Sequence, residues 1–296
     1  MAQLESGRQI DGFVIEASLH AGGMANIYRV HCADSARQPA FPLVMKMPRM
    51  TRGEGAENLL GFEVEKQILA ALDGPHAPRF VAAGDATRQP YLVMEYVAGE
   101  TLQDRLDRGT ARDIGEIARI GAQLANSVQW LHEQGVCHQD LKPGNVLLAE
   151  RGGVVLLDFG LSWHAGKPDL LAEDLRTTIG SFGWIAPEQI VGVRGDPRSD
   201  VFAIGVILYE LCTGELPFGN PQTKGGLRQR FWMQPKPPRQ TNARVPEWLQ
   251  EIILTCLAAH ADERYASARQ AIEALSQVVS KGRGGWRHRL RERLFR

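Results

Sequence analysis

The spacing of apolar residues changes near residue 100 of the chain. Before that point, short apolar runs rich in β-branched and aromatic residues alternate with turns, which is typical of strands. The runs cover residues 13–16, 41–47, 80–85 and 90–97. Residues 54–72 are the exception, because their composition favours a helix. The first part of the chain is therefore predicted to be strand-rich with one helix.

After Thr101 the apolar residues recur with a helical period. Ile117, Gly121, Leu124, Val128 and Leu131 repeat at alternating intervals of four and three, which predicts one long amphipathic helix. Residues 199–209 are apolar nearly all round, so we expect a helix buried on every side. The longest apolar run, 201–209, is too short to span a bilayer.

Composition and cysteine spacing indicate what kind of protein this is and where it is expected to be located. The 296 residues are 44% hydrophobic and 23% charged, as in ordinary globular domains. The four cysteines (Cys32, Cys137, Cys212 and Cys256) form no CxxC pair, which argues against a zinc cluster and a disulfide framework. With no signal-peptide pattern at the N-terminus, we expect a cytoplasmic protein.

Charge is balanced overall but unevenly placed. The net charge is zero, yet residues 281–296 hold seven Lys/Arg and one acid, so the remainder of the chain is mildly acidic. Trp286, Leu290 and Leu294 are spaced as one helical face in this basic amphipathic tail. Three interpretations stay open: a frayed basic terminus, a helix on an anionic membrane such as the inner membrane, or a contact with an acidic partner. No nucleic-acid partner is expected, and the oligomeric state is not indicated.

Candidate chemistry is concentrated in residues 138–145 and in the Asp-Phe-Gly triplet at 158–160. Phosphoryl transfer from a nucleotide needs a carboxylate for the attacking hydroxyl, oxygen ligands for Mg²⁺ and positive charge on the migrating group. Asp140 supplies the first, Asn145 and Asp158 the second, and Lys142 the third.

In this order and spacing, the stretch resembles the catalytic loop of the protein kinase superfamily. Asp-Leu-Lys-Pro-x-Asn is similar to the serine/threonine branch, and the whole pattern to bacterial eukaryotic-like kinases. The resemblance implies an α+β, bilobal protein-kinase-like fold over residues 10–280. Its small antiparallel-sheet N-lobe with one helix would cover 10–97, and its larger, mainly helical C-lobe 101–280. His138 would then have a structural role beside the Asp-Phe-Gly turn.

A glycine-rich segment, residues 19–30, resembles the kinase loop that covers the nucleotide phosphates. His20 and Ala25 replace two of the usual glycines, which puts the ATP affinity in question. Lys46, in an apolar run, matches the lysine that contacts the α- and β-phosphates.

Glu65 is the predicted partner of Lys46. It lies on the apolar helix face with Phe62, Leu69 and Leu72, where an unpaired carboxylate would be costly. Glu63 is the alternative partner.

The run 91–97 resembles the kinase hinge, with Met94 at the rear of the adenine pocket and backbone groups bonding the adenine. The resemblance assigns contacts with ATP to ten residues. They are Leu19, Gly22, Gly23, Ile27, Lys46, Glu65, Met94, Glu95, Val97 and Leu147. Read without the family, 91–97 fits an ordinary buried strand equally well.

Residues 158–188 resemble the activation and peptide-docking segment, with Ser181 facing the substrate. The resemblance also pairs Glu188 with Arg264, and lets Asp200 accept backbone hydrogen bonds from the catalytic loop. Gln139 stands where many kinases carry an arginine that binds a phosphate on this segment. We therefore expect activity that does not require phosphorylation of Thr177, Thr178 or Ser181.

The leading hypothesis is a serine/threonine protein kinase that uses ATP and Mg²⁺ on protein substrates. One alternative is a pseudokinase scaffold, but Lys46, Glu65, Asp140, Asn145 and Asp158 are all present. A second is a small-molecule kinase, against which the Ala-Pro-Glu segment at 186–188 and its arginine partner count.

Overall fold

The structure is a computed structural model that describes most of the chain. The described residues are 4–21, 25–49, 55–85, 89–109, 113–172, 181–221 and 223–280. Gly22, Gly23, Thr177, Thr178 and the tail 281–296 therefore lie outside them.

A six-stranded antiparallel sheet forms the first lobe. Its strands are β1 (Gln9–Ile10), β2 (Phe13–Ala21), β3 (Ala25–Cys32), β4 (Leu43–Pro48), β5 (Phe80–Ala83) and β6 (Leu92–Glu95). They lie in the order β1-β2-β3-β4-β6-β5. The predicted strands are found, and the first continues five residues beyond its predicted end at residue 16.

Alternate residues of a strand point to opposite faces of the sheet. The two faces of this sheet belong to two different hydrophobic cores. Leu43, Met45 and Met47 of β4 belong to a small core within the lobe. Val44 belongs to the large core that continues into the rest of the molecule. Lys46 has the same parity as Val44, so β4 directs it towards helix α1 (Gly55–Leu69).

Helices dominate the second lobe. They are α2 (Leu102–Asp107), α3 (Ile114–Glu133), α4 (Pro187–Ile190), α5 (Pro197–Thr213), α6 (Lys224–Arg228), α7 (Pro238–Thr241), α8 (Glu247–Cys256) and α9 (Ala268–Ser280). One short strand, β7 (Gly99–Thr101), lies directly before α2. Four more lie between α3 and α4: β8 (Val136–Cys137), β9 (Val146–Ala149), β10 (Val154–Leu156) and β11 (Trp163–His164). Their pairings β7-β9-β10 and β8-β11 frame the loop at 138–145.

Helix α5 is the centre of this lobe, and its predicted burial is confirmed: thirteen of its seventeen residues are buried. It begins at the N-cap Asp196, whose side chain accepts from Arg198 N, and ends at Gly214 in the left-handed conformation (φ 80°). At two positions, a neighbouring helix packs so closely that there is no room for a Cβ atom. A Cβ on Gly205 would lie 2.6 Å from Cys256 Cβ of α8, and one on Gly121 of α3 2.7 Å from Leu208 Cδ2 of α5.

The predicted α+β architecture, with a small sheet lobe and a larger helical lobe, is thus confirmed. Among the described residues, no helix has the length and apolar character needed to cross a membrane.

Candidate active site

Lys46 joins the two lobes through its ammonium group. Its Nζ lies 2.6 Å from Glu65 Oε2 on α1 and 2.9 Å from Asp158 Oδ1, beyond β10. Glu65 is only 2% exposed. Glu63, the alternative partner, instead forms an ion pair with Lys66. The structure therefore brings together three residues that are far apart in sequence.

The charges of this cluster follow from burial and proximity. Burial on its own would lower the pKa of Lys46, but the Asp158 and Glu65 carboxylates outweigh it and raise that pKa. The Lys46 charge lowers the pKa of Asp158 to about 2. Burial raises the pKa of Glu65, against the opposing effect of Lys46. Lys46 is thus cationic and Asp158 anionic at neutral pH.

The turn at 158–160 is packed tightly under α1. Asp158 has a positive φ of 60°, and the Phe159 side chain is completely buried, its ring 5.1 Å from that of His138. The Phe159 amide donates to Glu65. A Cβ on Gly61 would come within 3.4 Å of Gly160 O, so the helix and the turn are in backbone contact.

Asp140 lies beside this turn with both of its carboxylate oxygens engaged. Oδ1 accepts from Ser181 N at 2.8 Å, and Oδ2 accepts from Lys142 Nζ at 2.8 Å and from Asn145 Nδ2 at 3.3 Å. Lys142 Nζ also donates to Ser181 Oγ at 2.9 Å. Ser181, expected to face the substrate, is thus hydrogen-bonded to the loop that carries Asp140.

Asp200, near the start of α5, supports the backbone of this loop. Its carboxylate accepts from His138 N at 2.8 Å, Gln139 N at 2.9 Å and His132 Nε2 at 2.8 Å. Burial opposes its ionisation, but the His132 contact and the other donors lower the pKa of Asp200. Gln139 has a φ of 67°, a left-handed conformation that these bonds help to hold.

Glu188 and Arg264 form a two-pronged ion pair in the helical lobe. Arg264 Nη1 and Nη2 lie 2.7 and 2.8 Å from the two carboxylate oxygens, and Ser199 Oγ donates to the same carboxylate at 2.7 Å. Arg264 also donates to the carbonyls of Ala258, Arg198 and Ala259. Burial opposes ionisation, but Arg264 outweighs it and lowers the pKa of Glu188.

The residues assigned to the adenine side lie along the lobe boundary. Met94 is buried on β6, and Ile27 pairs with Lys46 between β3 and β4. Val97 and Leu147 belong to one small apolar cluster. Leu19 is 46% exposed at an irregular point in the register of β2, and Gly22 and Gly23 lie outside the described residues.

The Glu95 carboxylate is held by two arginines that sequence reasoning missed. Arg79 Nε, before β5, lies 3.0 Å from Oε2, and Arg151 Nη1, between β9 and β10, lies 2.7 Å from Oε1. Burial opposes ionisation, but the two arginines lower the pKa of Glu95. Its side chain therefore links the sheet lobe to the helical lobe.

Two residues, Gln139 and Arg194, bear on how the segment after residue 158 is held. Gln139 is 4% exposed, and its amide Nε2 and Oε1 are buried without a hydrogen-bond partner among the described residues. Arg194, also missed from sequence, pairs with Asp169 Oδ2 at 2.9 Å. Its Nη2 donates to the carbonyls of Leu161 and Ser162 at 3.1 Å each.

Asn145 and Asp158 form a donor set that fits a small hard cation. Asn145 Nδ2 donates to Asp140 O at 2.9 Å, which leaves the amide oxygen as the ligand atom. The Asp158 side chain is 41% exposed despite its bond to Lys46. Carboxylate and amide oxygens are ligands that Mg²⁺ accepts in proteins, usually together with substrate phosphates.

Comparison with known proteins gives this geometry a context. The family model described as protein kinase domain matches residues 13–276. The serine/threonine-protein kinase pkn3 of Myxococcus xanthus is 32% identical over 280 residues, which are 91% of this chain and 50% of that protein. The serine/threonine-protein kinase PknB of Mycolicibacterium smegmatis is 30% identical over 272 residues, covering 90% of this chain and 43% of that one.

PrkC of Bacillus subtilis, also named a serine/threonine-protein kinase, is 27% identical over 263 residues, covering 88% of this chain and 40% of that protein. The chain thus spans half the length or less of these curated relatives.

Proposed function

The chain belongs to the protein kinase domain family, and from that premise we propose that it is a serine/threonine protein kinase. It would transfer the γ-phosphoryl group of ATP to serine or threonine hydroxyls of protein substrates, as the names of its bacterial relatives suggest for those proteins.

The observation that carries this proposal is the position of Lys46 Nζ. It lies within 3 Å of Glu65 and Asp158 at once, at 2.6 and 2.9 Å. A lysine held in this way by one lobe, beside a half-exposed carboxylate of the other, is arranged to contact nucleotide phosphates in the cleft. A scaffold without catalysis predicts the loss of at least one essential group, whereas Lys46, Glu65 and Asp158 are all present and in contact.

Asp140 is proposed to orient the acceptor hydroxyl and take its proton. The acceptor oxygen forms a bond to the γ-phosphorus as the bond to the β–γ bridging oxygen breaks, ADP leaves, and Asp140 passes the proton to solvent. Lys142, 2.8 Å from Asp140, is placed to offset negative charge on the transferring group. Both roles depend on the loop geometry that Asp200 supports.

Asn145 and Asp158 would hold Mg²⁺, and the bound ion would offset charge on the nucleotide phosphates. The hydrophobic residues at the lobe boundary would contact the adenine ring, with the backbone of Glu95 and Val97 bonding its edge. These contacts involve Leu19, Ile27, Met94, Val97 and Leu147, and Gly22 and Gly23 would approach the phosphates.

We extend the proposal to regulation: activity would not require phosphorylation of the activation segment. Gln139 has no positive charge with which to bind a phosphate. Arg194 instead holds the segment through Asp169 and two backbone carbonyls. Ordering of at least this part of the segment therefore uses an ion pair between unmodified side chains.

For the tail, the charge pattern supports binding to an anionic membrane or an acidic partner. Co-sedimentation with anionic liposomes, with and without residues 281–296, tests the membrane version. Equal and negligible binding of the two proteins would contradict it.

The function itself is tested by incubating purified protein with labelled ATP, Mg²⁺ and a generic protein substrate. Lys46→Ala and Asp158→Ala are the matched controls. Label in the protein substrate with the parent chain and not with either variant is expected. Nucleotide binding without transfer by the parent would favour the pseudokinase, and transfer only to small molecules would favour the small-molecule kinase.

A further inference from the structure

Arg230 is a buried cation outside the machinery described so far. It lies on a 3₁₀ turn (Gln229–Phe231) that follows α6, and it is 1% exposed. No carboxylate of the described residues pairs with it within ion-pair distance. Its guanidinium carbon lies 5.4 Å from the centroid of the Phe218 ring instead. A buried charge needs other partners to offset its loss of hydration.

Those partners are backbone carbonyls of a single segment. Arg230 Nη2 donates to Phe182 O at 2.7 Å and to Gly183 O at 2.9 Å, and Nη1 donates to Ile185 O. Residues 182–185 belong to neither a helix nor a strand, so their carbonyls lack a regular backbone ladder. The planar fork of one arginine supplies donors to three of them at once.

The same segment is also connected to the loop that carries Asp140. Ser181, one residue before Phe182, donates its amide to Asp140 and accepts from Lys142 Nζ. Trp184 N donates to Ser181 O at 2.9 Å, and its indole Nε1 donates to Glu210 at 3.1 Å. A shift of residues 182–185 would therefore move Ser181 relative to Asp140.

We propose that Arg230 is a positioning residue for the protein acceptor. By fixing the backbone of residues 182–185, it sets the surface beside Asp140 on which the acceptor segment lies. It touches neither nucleotide nor acceptor itself. The inference rests on the proposed kinase function, and it adds Arg230, a residue of the helical lobe that neither the nucleotide site nor the family resemblance involves.

Steady-state kinetics of Arg230→Met separates positioning from general structural support. The kcat/KM for a generic protein substrate should fall about 10- to 100-fold, since small misplacements of reacting groups cost rates of that order. The KM for ATP and the slow hydrolysis of ATP without protein acceptor should stay within about twofold of the parent. Arg230→Lys, which keeps the charge but not the fork, should be intermediate.

Arg228→Met is the matched control, since Arg228 is an exposed arginine two residues away. It should leave all three quantities near the parent values. A parallel fall of protein phosphorylation and ATP hydrolysis in Arg230→Met, or no fall of either, would overturn the proposal. If Arg230→Met does not fold, the same comparison is decided by Arg230→Lys.

Hydrogen exchange keeps the inference testable apart from the kinase function. If the parent transfers no phosphate, the proposed function fails, whereas the amides of Ser181 and Trp184 still report on the segment. They should exchange faster in Arg230→Met, with unchanged exchange at Phe159, whose amide bonds Glu65. Unchanged exchange at Ser181 and Trp184 would reject Arg230 as the residue that holds this backbone.

Discussion

Two buried charge clusters in this molecule are built in different ways. The cleft cluster (Lys46, Glu65 and Asp158) joins β4, α1 and the turn after β10, and its Asp158 side chain is 41% exposed. The Glu188–Arg264 pair lies within the helical lobe, with side-chain exposures of 14% and 0%. Arg264 also has three carbonyl acceptors, and Glu188 has Ser199 as a donor.

This difference distinguishes a cluster that can bind a ligand from a pair that only stabilises the fold. The cleft cluster keeps a carboxylate open to solvent between two lobes, so a cation and phosphates can approach it. The Glu188–Arg264 pair has its polar atoms satisfied by protein groups, so it has nothing left to offer a ligand. Removing one carboxylate charge should therefore affect activity in the first cluster and stability in the second.

The largest effect is expected for Asp158→Asn. This change removes a charged ligand for Mg²⁺ while keeping the size of the side chain, and phosphotransfer should fall about 10³-fold. The free energy of unfolding should change by about 1 kcal/mol or less, because the exposed side chain is screened by solvent. Labelled-ATP assays and urea unfolding measure the two quantities. Comparable activity of parent and variant would remove Asp158 from the proposed site.

The same carboxylate-to-amide change at Glu188 should mainly reduce stability. Glu188→Gln leaves the fully buried Arg264 charge without its counter-ion, which should lower the free energy of unfolding by about 3 kcal/mol. Glu133→Gln, which breaks an exposed pair with Arg269, is the control and should cost less than about 1 kcal/mol. Equal losses in the two variants would show that burial of the pair does not matter.

A smaller effect is expected in the pH dependence of the free energy of unfolding. The pKa of Glu188 is lower in the folded protein, so its stabilising contribution is present above the pKa of the unfolded chain. It is lost as pH falls through the folded value. Between about pH 5 and pH 3, the unfolding free energy of Glu188→Gln should therefore fall less steeply than that of the parent. Parallel pH profiles from urea unfolding would contradict the assignment.

The smallest effect is expected in the activation segment. The double variant Thr177→Ala/Thr178→Ala should change turnover by less than about threefold, because Gln139 cannot bind a phosphate placed there. Ser181→Ala is the contrast, since it removes the hydrogen bond to Lys142 and should lower turnover more. A loss in the double variant as large as that of Asp158→Asn would reject independence from phosphorylation.

Sequence reasoning located the parts of this site that lie close together in the chain or on a periodic face. Residues 138–145 and 158–160 are read directly from their order and spacing. Glu65 could be paired with Lys46 because a carboxylate on an apolar helix face needs a partner, and the structure places the two groups 2.6 Å apart. The change of apolar period near residue 100 predicted a strand-rich part followed by a helical part, and the resemblance to the kinase family implied that these parts are two lobes.

Sequence reasoning missed four arginines. Their hydrogen-bond partners cannot be recognised from the sequence. Arg230 and Arg194 donate to backbone carbonyls, and every residue of the chain has one of those. Arg79 and Arg151 meet Glu95 across 16 and 56 residues of chain, and no period connects them. The roles of Gly22 and Gly23 and of the basic tail stay predictions, because these residues lie outside the described ones.

The Glu95 carboxylate, bound by Arg79 on one side and Arg151 on the other, has a mechanical consequence for motion between the two lobes. Rotation of one lobe against the other must either break one of these ion pairs or occur about an axis that passes close to them. The second path keeps both ion pairs, so the two lobes would separate least beside Glu95. In the proposed kinase, Arg79 and Arg151 would then help to set how wide the cleft opens when ADP leaves.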